Sequence, residues 1–227
     1  MSELSDTRQP TRVAEAPAGA ERRARLVLAS TSPRRHELIK HLRLPFEIVP
    51  SQIEEIIDSK LKPADLVLTL AEQKATDVFT RLQKQHEDET LVVLGADTIV
   101  VLDGKFLGKP VDENDAIAML KQLSGRCHEV FTGVVILVGT KGEKPRRFSK
   151  AEDSRVFFRT LSEDEIIAYV ATKEPMDKAG AYALQGTGSA FVEKIEGCFT
   201  NIIGLPIPQV VSLLRQAGIV VLGQAEA

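Results

Sequence analysis

Apolar residues in this chain occur in two patterns, short continuous runs and longer segments in which they recur every three or four positions. The continuous runs predict buried strands, because a strand covered on both faces needs apolar side chains at every position. Strands are predicted at 26–29, 46–50, 91–102, 127–139, 146–159 and 191–195. Helices are predicted at 33–42, 63–82, 111–123, 162–170 and 209–216. Interspersed strands and helices of these lengths indicate an α/β protein.

An aspartate, Asp97, lies in the middle of the longest apolar run, 91–102. A buried carboxylate is costly unless it is paired, hydrogen-bonded or bound to a metal. Gly95 has no side chain and would let a ligand approach the backbone closely. The structural alternative is an aspartate that caps a bulge or is satisfied by backbone amides. Asp97 is therefore a candidate for chemistry, with a purely structural role left open.

The dipeptide Asp103-Gly104 predicts a two-residue hairpin immediately after this strand. If the hairpin stays regular, Thr98 faces Lys109, and Lys109 returns beside Asp97. A carboxylate and an ammonium group placed together in a sheet could form a structural ion pair. They could equally serve a substrate that carries phosphate and a metal ion.

The segment 30–35, with the sequence Ser-Thr-Ser-Pro-Arg-Arg, joins the first predicted strand to the first predicted helix. Serine and threonine are preferred N-caps, and proline suits the first helical position. Arg34 and Arg35 are unexpected there, because a cation at a helix N-terminus costs roughly 0.3–1 kcal/mol. Bound phosphate would offset that cost, since N–H groups, the hydroxyls of Ser30 and Ser32 and two guanidinium groups form an anion site. The alternative is a pair of solvated arginines.

Three further candidates lie in less distinctive surroundings. Glu54-Glu55 follows the second predicted strand, where ligand sites gather in α/β sheets, although a solvated acidic loop has the same composition. Lys74 lies within the second predicted helix, and its alternative is a surface lysine. Gln185 lies in the glycine-rich segment 176–189, which either lines a cleft or forms a structural turn. Its amide could recognise the edge of a base through one donor and one acceptor.

The composition narrows the choice of function. The 227 residues carry a formal net charge of −3 and no tryptophan, so nothing indicates a nucleic-acid polymer as partner. No apolar run approaches the roughly 18 residues of a membrane span. Cys127 and Cys198 give neither a disulfide framework nor zinc spacing, which favours a reducing compartment and hence the cytoplasm. The polar residues 1–24 predict a disordered N-terminal extension, and 25–227 predict a single domain.

Together these residues indicate a metal-dependent enzyme or binder that acts on a phosphorylated small molecule, since magnesium suits carboxylate and phosphate oxygens. Five motifs also resemble, in order and spacing, those of the Maf family of nucleoside triphosphate pyrophosphatases over about residues 25–216. They are Ser30-Thr31-Ser32-Pro33-Arg34-Arg35, Gly95-Ala96-Asp97-Thr98-Ile99-Val100, Lys109-Pro110, Asp177-Lys178-Ala179-Gly180 and Gly204-Leu205-Pro206. The resemblance implies a two-lobed α/β fold with a long mixed β-sheet flanked by helices and a central cleft, similar to inosine triphosphatase. It also implies a divalent cation, Mg²⁺ or Mn²⁺, and a homodimer.

The resemblance places roles on individual residues of this chain. The family's proton acceptor corresponds to Asp97. Its supporting polar positions correspond to Ser32, Arg35, Glu55, Lys74 and Lys109. Its substrate-specificity positions correspond to Arg34, Thr98 and Gln185, which match the branch acting on dTTP and UTP. The branch acting on 7-methyl-GTP typically has Trp, Gln and Glu there. The stretch 198–200 departs from a more aromatic family pattern, and the extension at 1–24 is longer than usual.

The resemblance implies hydrolysis of dTTP and UTP to the monophosphate and pyrophosphate, in a house-cleaning role that extends to modified pyrimidine nucleotides. In the hypothetical mechanism, water attacks the α-phosphorus and Asp97 serves as general base, or as a metal ligand together with Glu55. The basic side chains neutralise charge on the triphosphate. Two alternatives remain. One is a non-catalytic, nucleotide-sensing regulator of cell division, and the other is a pyrophosphatase for 7-methyl-GTP or other non-canonical nucleotides.

Overall fold

A computed structural model describes residues 24–54, 60–85 and 89–221 of the chain. The strands are β1 (Ala24–Leu28), β2 (Phe46–Ile48), β3 (Thr90–Leu102), β4 (Lys105–Leu107), β5 (Cys127–Gly139), β6 (Arg146–Phe158) and β7 (Val192–Gly197). The helices are α1 (Pro33–Lys40), α2 (Pro63–Gln83), α3 (Glu113–Leu123), α4 (Glu163–Ala171), α5 (Phe199–Ile203) and α6 (Ile207–Gln216). Three 3₁₀ turns lie at Glu174–Asp177, Ala179–Ala181 and Thr187–Phe191. The predicted extension, 1–24, lies outside the described residues except for Ala24, which begins β1.

The described strands form one mixed sheet in the order β2-β1-β3-β5-β6-β7, with β4 paired to the far end of β3. Strand β1 runs parallel to β2 and β3, and the remaining pairs are antiparallel. Strands β3, β5 and β6 each have 13 residues and carry most of the sheet. The predicted α/β fold with a long mixed sheet is confirmed.

One edge of β3 has two different partners along its length, which leaves a gap between them. Strand β1 ends where Leu28 is paired with Leu94, and the Ala29 N–H donates to the Leu94 carbonyl at 2.8 Å. Strand β4 resumes the pairing where Leu107 faces Val100. No described strand pairs with 95–99 on this edge, so Asp97 lies at the gap.

Apolar side chains form separate cores on the two faces of the sheet. On one face, one cluster includes Leu28 and Leu94 with helices α1 and α6, and a second includes Val100 and Leu120 with helices α3 and α4. On the opposite face, a third cluster packs the sheet against α2. Two clusters on one face, on either side of the gap in β3, give the molecule the predicted two lobes.

Two glycines allow α2 to approach the sheet closely. A Cβ atom at Gly95 would collide with the Ala71 carbonyl, and one at Gly133 would collide with the Val67 carbonyl. Both helix residues are fully buried. The contact between the α2 backbone and the sheet therefore requires glycine at both strand positions, and it brings the middle of α2 next to the gap in β3.

Helix α5 and the three 3₁₀ turns were not predicted from the sequence. Helix α5 has only five residues, which is too short for a periodic apolar pattern, and it ends at Gly204 with φ +118. The hairpin register is as predicted, with Leu102 facing Lys105, but β4 ends at Leu107. No helix in the described ranges is long and apolar enough to cross a membrane.

Candidate active site

A cleft of about 520 Å³ opens at the gap in β3, between the two lobes. Five basic side chains line it, namely Arg34, Arg35, Lys74, Lys109 and Lys178. The two carboxylates in the lining are Asp97 and Asp177. The lining thus has an excess of three positive charges, whereas the whole chain has a net charge of −3. This contrast favours an anionic ligand.

Asp97 forms an ion pair with Lys74 on α2. The distance from Lys74 Nζ to Asp97 Oδ1 is 2.5 Å, and Asp97 is 7 % exposed. Asp97 points to the α2 face of the sheet, as do Gly95 and the other odd-numbered residues of β3. A buried carboxylate needs such a partner. Helix α2 provides it, because Gly95 and Gly133 allow this helix to pack closely on the sheet.

The expected pairing of Asp97 with Lys109 is corrected by this contact. The hairpin ladder ends at Leu107, so Lys109 follows the strand and is exposed. Lys109 still lines the same cleft. Among the described residues it takes part in no hydrogen bond or ion pair, so its charge is available to a ligand.

The two arginines at the start of α1 have different surroundings. The Arg35 guanidinium donates to the Gly204 carbonyl at 2.7 Å and to Thr98 Oγ1 at 2.9 Å. Arg34 forms no hydrogen bond or ion pair within the described part of the chain. Burial raises the pKa of Asp177, but the hydrogen bond and charge of Lys178, with the charge of Arg34, outweigh it and hold that pKa below its usual value. Arg34 lines the cleft together with Asp177.

The N-cap residue of α1, Ser32, makes no side-chain hydrogen bond to the N–H groups of the first turn. Such a bond would stabilise the helix. The Ser32 N–H donates to Ser30 Oγ at 3.1 Å, and His36 Nε2 contacts the Ser30 carbonyl at 2.9 Å. Ser32 lines the cleft, whereas Ser30 is 5 % exposed and does not line it. Of the five predicted phosphate ligands, Ser30 alone lies outside the lining.

A buried polar chain runs behind the cleft from Thr98 to Asn201, and only Thr98 was a predicted site residue. Thr98 Oγ1 contacts Thr132 Oγ1 at 2.9 Å, and Thr132 Oγ1 donates to the Asn201 carbonyl at 3.0 Å. Asn201 Nδ2 donates to the Val130 carbonyl and to Ser154 Oγ, both at 2.9 Å. The polar residues within otherwise apolar strands were the available signal. This series of hydrogen bonds links α5 to the sheet. It fixes Thr98 and, through Thr98, Arg35.

The opposite wall of the cleft includes Gln185, which lies in the turn between the 3₁₀ turns Ala179–Ala181 and Thr187–Phe191. Gln185 is exposed and lines the cleft, as do Tyr182 and Leu184. The Tyr182 hydroxyl contacts Nε2 of the buried His128 at 2.9 Å. Burial lowers the pKa of His128 to about 4, so the ring is neutral near neutral pH. His128 therefore serves as a neutral, buried support for Tyr182.

The predicted metal ligand Glu55 lies outside the described residues. Within the described ranges, no three or more His, Cys, Asp or Glu side chains form a group that could hold a metal ion. Asp97 is the predicted metal ligand that the structure describes.

Comparisons with known proteins agree with the geometry of the cleft. The model of Maf-like proteins matches residues 25–217. A dTTP/UTP pyrophosphatase of Caldicellulosiruptor bescii is 46 % identical over 194 residues, which cover 86 % of this chain and 95 % of the relative. A dTTP/UTP pyrophosphatase of Acetivibrio thermocellus is 48 % identical over 199 residues, covering 87 % and 98 %.

Among solved structures, a nucleoside-triphosphatase / dITP/XTP pyrophosphatase of Mycobacterium abscessus matches with 13 % identity and a TM-score of 0.40. The match covers 86 % of this chain and 95 % of that chain. At this TM-score and identity we draw no conclusion from it. The family model, in contrast, spans most of the sequence and includes every motif that surrounds the cleft. The chain belongs to the Maf family.

Proposed function

We propose that the protein is a nucleoside triphosphate pyrophosphatase that hydrolyses dTTP and UTP to the monophosphate and pyrophosphate. The observation that carries the proposal is the Asp97–Lys74 pair at 2.5 Å in a cleft with excess positive charge. Two relatives more than 45 % identical have the name dTTP/UTP pyrophosphatase. A protein that only binds nucleotides would gain little from a nearly buried carboxylate.

In the proposed mechanism, Asp97 accepts a proton from the water that attacks the α-phosphorus. Lys74 engages Oδ1 of Asp97 and fixes the orientation of the carboxylate, which leaves Oδ2 for the water. General-base catalysis of this kind contributes about 10²–10⁴-fold to the rate. Asp97 lies on strand β3 and Lys74 on helix α2. Because both elements are regular, the positions of the two side chains relative to the substrate vary little.

The basic side chains of the lining stabilise the pyrophosphate that leaves. Arg34 and Lys109 have no protein partner among the described residues, so their charges can face the phosphates directly. Arg35 is held by the Gly204 carbonyl and Thr98 and presents a fixed positive charge. Positive groups that are already in place stabilise the developing charge without reorganisation.

Nucleotide pyrophosphatases of the Maf family generally depend on a metal ion. Mg²⁺ is usually bound through one or two carboxylates together with substrate phosphates, rather than in a cage of protein ligands. The described residues fit this mode, because Asp97 offers a carboxylate oxygen and forms no three-residue metal cluster. Oδ2 of Asp97 either accepts the proton directly or, together with Glu55, would hold the cation, which when bound would offset charge on the triphosphate.

Selectivity for pyrimidine nucleotides is proposed to rest on Arg34, Thr98 and Gln185. The Gln185 amide supplies one acceptor and a donor group to the edge of a base. The Thr98 hydroxyl is already engaged by Arg35 and Thr132, so Thr98 acts by placing Arg35. Removal of dTTP, UTP and modified pyrimidine nucleotides would be a house-cleaning activity.

The test is pyrophosphate release from a panel of triphosphates that includes dTTP, UTP, dATP, GTP and 7-methyl-GTP, with Mg²⁺ or Mn²⁺. We expect the highest kcat/KM for dTTP and UTP, and loss of turnover in excess EDTA. Binding without turnover for the whole panel would contradict catalysis. Faster turnover of 7-methyl-GTP than of dTTP would contradict the proposed selectivity.

A further inference from the structure

The Gln185 side chain is not anchored by hydrogen bonds to the described part of the protein, so its placement depends on the backbone that carries it. Its amide forms no hydrogen bond within the described ranges, and the residue is exposed. The surrounding segment, 183–188, contains turns and no long helix or strand. Whatever fixes this backbone therefore also fixes the orientation of Gln185 in the cleft.

Glu174 holds the C-terminal side of this segment. Its Oε2 accepts from the Thr187 N–H at 3.0 Å, and its Oε1 accepts from the Gly188 N–H at 3.2 Å. Burial raises the pKa of Glu174, but the N–H donors outweigh it and hold that pKa below its usual value. The carboxylate is therefore ionised at neutral pH, and hydrogen bonds to a charged acceptor are the stronger kind.

Tyr169 holds the N-terminal side of the same segment. The Ala183 N–H donates to the Tyr169 hydroxyl at 3.1 Å, and that hydroxyl donates to Glu174 Oε1 at 2.9 Å. Burial raises the pKa of Tyr169 well above its usual value, so the hydroxyl remains a donor. Tyr169 and Glu174 thus bind both ends of 183–188 from outside the cleft, since neither side chain lines it.

The glycines on either side of Thr187 are explained by this arrangement. A Cβ atom at Gly186 would collide with the Glu174 carboxylate, and one at Gly188 would lie 2.8 Å from the Tyr169 hydroxyl. The segment can approach Glu174 and Tyr169 only because both positions lack side chains. The glycine-rich pattern around Gln185 therefore serves contact with these two residues.

We propose that Glu174 and Tyr169 are positioning residues that set nucleotide selectivity by fixing the loop that carries Gln185. This inference rests on the proposed function, and it extends the set of specificity determinants to two residues that touch no substrate. The loop that the Glu174–Tyr169 pair holds contributes Ala183, Leu184 and Gln185 to the lining of the cleft. The pair therefore supports the wall against which the base would bind.

The test compares Glu174→Gln and Tyr169→Phe with a control, Glu165→Gln. Glutamine retains one acceptor oxygen but places a donor against a backbone N–H, and phenylalanine removes the hydroxyl while filling the same space. Glu165 caps the start of α4 through Ser162 and pairs with Arg159, without a hydrogen bond to the loop. The control therefore perturbs the start of α4, the helix that also carries Tyr169, and leaves the hydrogen bonds of Tyr169 and Glu174 to the loop in place.

Two measurements are made on each full-length variant: hydrogen exchange of 183–188, and kcat and KM for UTP and GTP. In Glu174→Gln and Tyr169→Phe we expect faster exchange in the loop and a loss of about tenfold in the UTP/GTP ratio of kcat/KM. The change should fall mainly on the KM for UTP. The control should retain the wild-type ratio.

Loop exchange that rises while the UTP/GTP ratio stays at the wild-type value would overturn the inference, as would unchanged loop exchange in both variants. An equal loss in the control would also overturn it, because the effect would then be general destabilisation. Failure of the proposed function is distinguishable, since the wild type itself would then release no pyrophosphate from UTP.

Discussion

The two walls of the cleft are built in different ways. The first wall, β3 with α2, carries the Asp97–Lys74 pair on a 13-residue strand and a 21-residue helix in direct backbone contact. The second wall, residues 174–188, consists of short turns held by side chains that bond to backbone N–H groups. Regular elements fix atoms more narrowly than loops do, and loops accept substitutions more readily. The difference assigns the chemical step to the first wall and the choice of nucleotide to the second.

The two arginines of α1 connect these walls. Arg35 is hydrogen-bonded to Thr98 of the first wall, whereas Arg34 lines the cleft with Asp177 of the second. Adjacent residues in one helical turn therefore differ: hydrogen bonds fix the charge of Arg35, whereas Arg34 has no such bond among the described residues. If this division holds, variants of the first wall lower kcat and variants of the second alter KM and selectivity.

The largest expected effect is on the first wall. Asp97→Asn should retain the fold and lower kcat by about 10²–10⁴-fold, because the amide cannot accept the proton. Steady-state pyrophosphate release checks the rate, and thermal unfolding checks the fold. Asp103→Asn is a matched control, since Asp103 lies at the hairpin with φ +51, which asparagine tolerates, and pairs with Arg126 in an exposed position. Near-normal turnover of the Asp97 variant would contradict the assignment of the chemical step to the first wall.

The second largest effect concerns the support of the second wall by His128. Burial lowers the pKa of His128 from 6.5 to about 4, so the unfolded chain binds a proton that the folded chain does not. The stability from this group is complete above pH 6.5 and is lost as the pH falls towards 4. The loss is on the order of 3 kcal/mol. Urea unfolding between pH 7 and 4 should show this slope in the wild type and a flatter one in His128→Phe. An equal pH dependence of the free energy of unfolding in both proteins would show that His128 does not cause the loss of stability.

A smaller, opposed pair of effects is expected at α1. Arg35→Gln should lower the free energy of unfolding by about 1–3 kcal/mol, because the Gly204 carbonyl and Thr98 lose a charged donor. Arg34→Gln should raise it by roughly 0.3–1 kcal/mol, because a cation is removed from a helix N-terminus. The same Arg34 variant should bind UTP about tenfold more weakly. Denaturant unfolding and KM measurements check both. A stability loss in Arg34→Gln would show that this arginine also supports the fold.

The smallest effect is expected at Gln185. In Gln185→Glu, a donor group becomes a charged acceptor, so the UTP/GTP ratio of kcat/KM should fall by about tenfold while kcat changes little. The nucleotide panel measures both quantities. An unchanged ratio would exclude contact between this side chain and the base. A loss confined to kcat would move Gln185 from selectivity to chemistry, and the two walls would no longer differ.

Local features of the sequence predicted more than distant ones. The two-residue turn at Asp103-Gly104 fixed the register of β3 with β4 because all its determinants are adjacent in sequence. The pairing of Asp97 with Lys74 was not predicted, because it depends on how α2 packs on Gly95 of β3 and on Gly133 of β5, which is distant in sequence. Glu174 was missed for a similar reason, since its partners in the loop are backbone N–H groups, which no residue type reveals.

The central claim, attack of water on the α-phosphorus of a pyrimidine triphosphate in the cleft at Asp97, has a direct test. Hydrolysis of UTP in ¹⁸O-labelled water, followed by mass spectrometry of both products, locates the bond that breaks. The account predicts one ¹⁸O atom in UMP, none in pyrophosphate, and formation of labelled UMP that is about 10²–10⁴-fold slower with Asp97→Asn. Label in the pyrophosphate, or release of single phosphates, would contradict it.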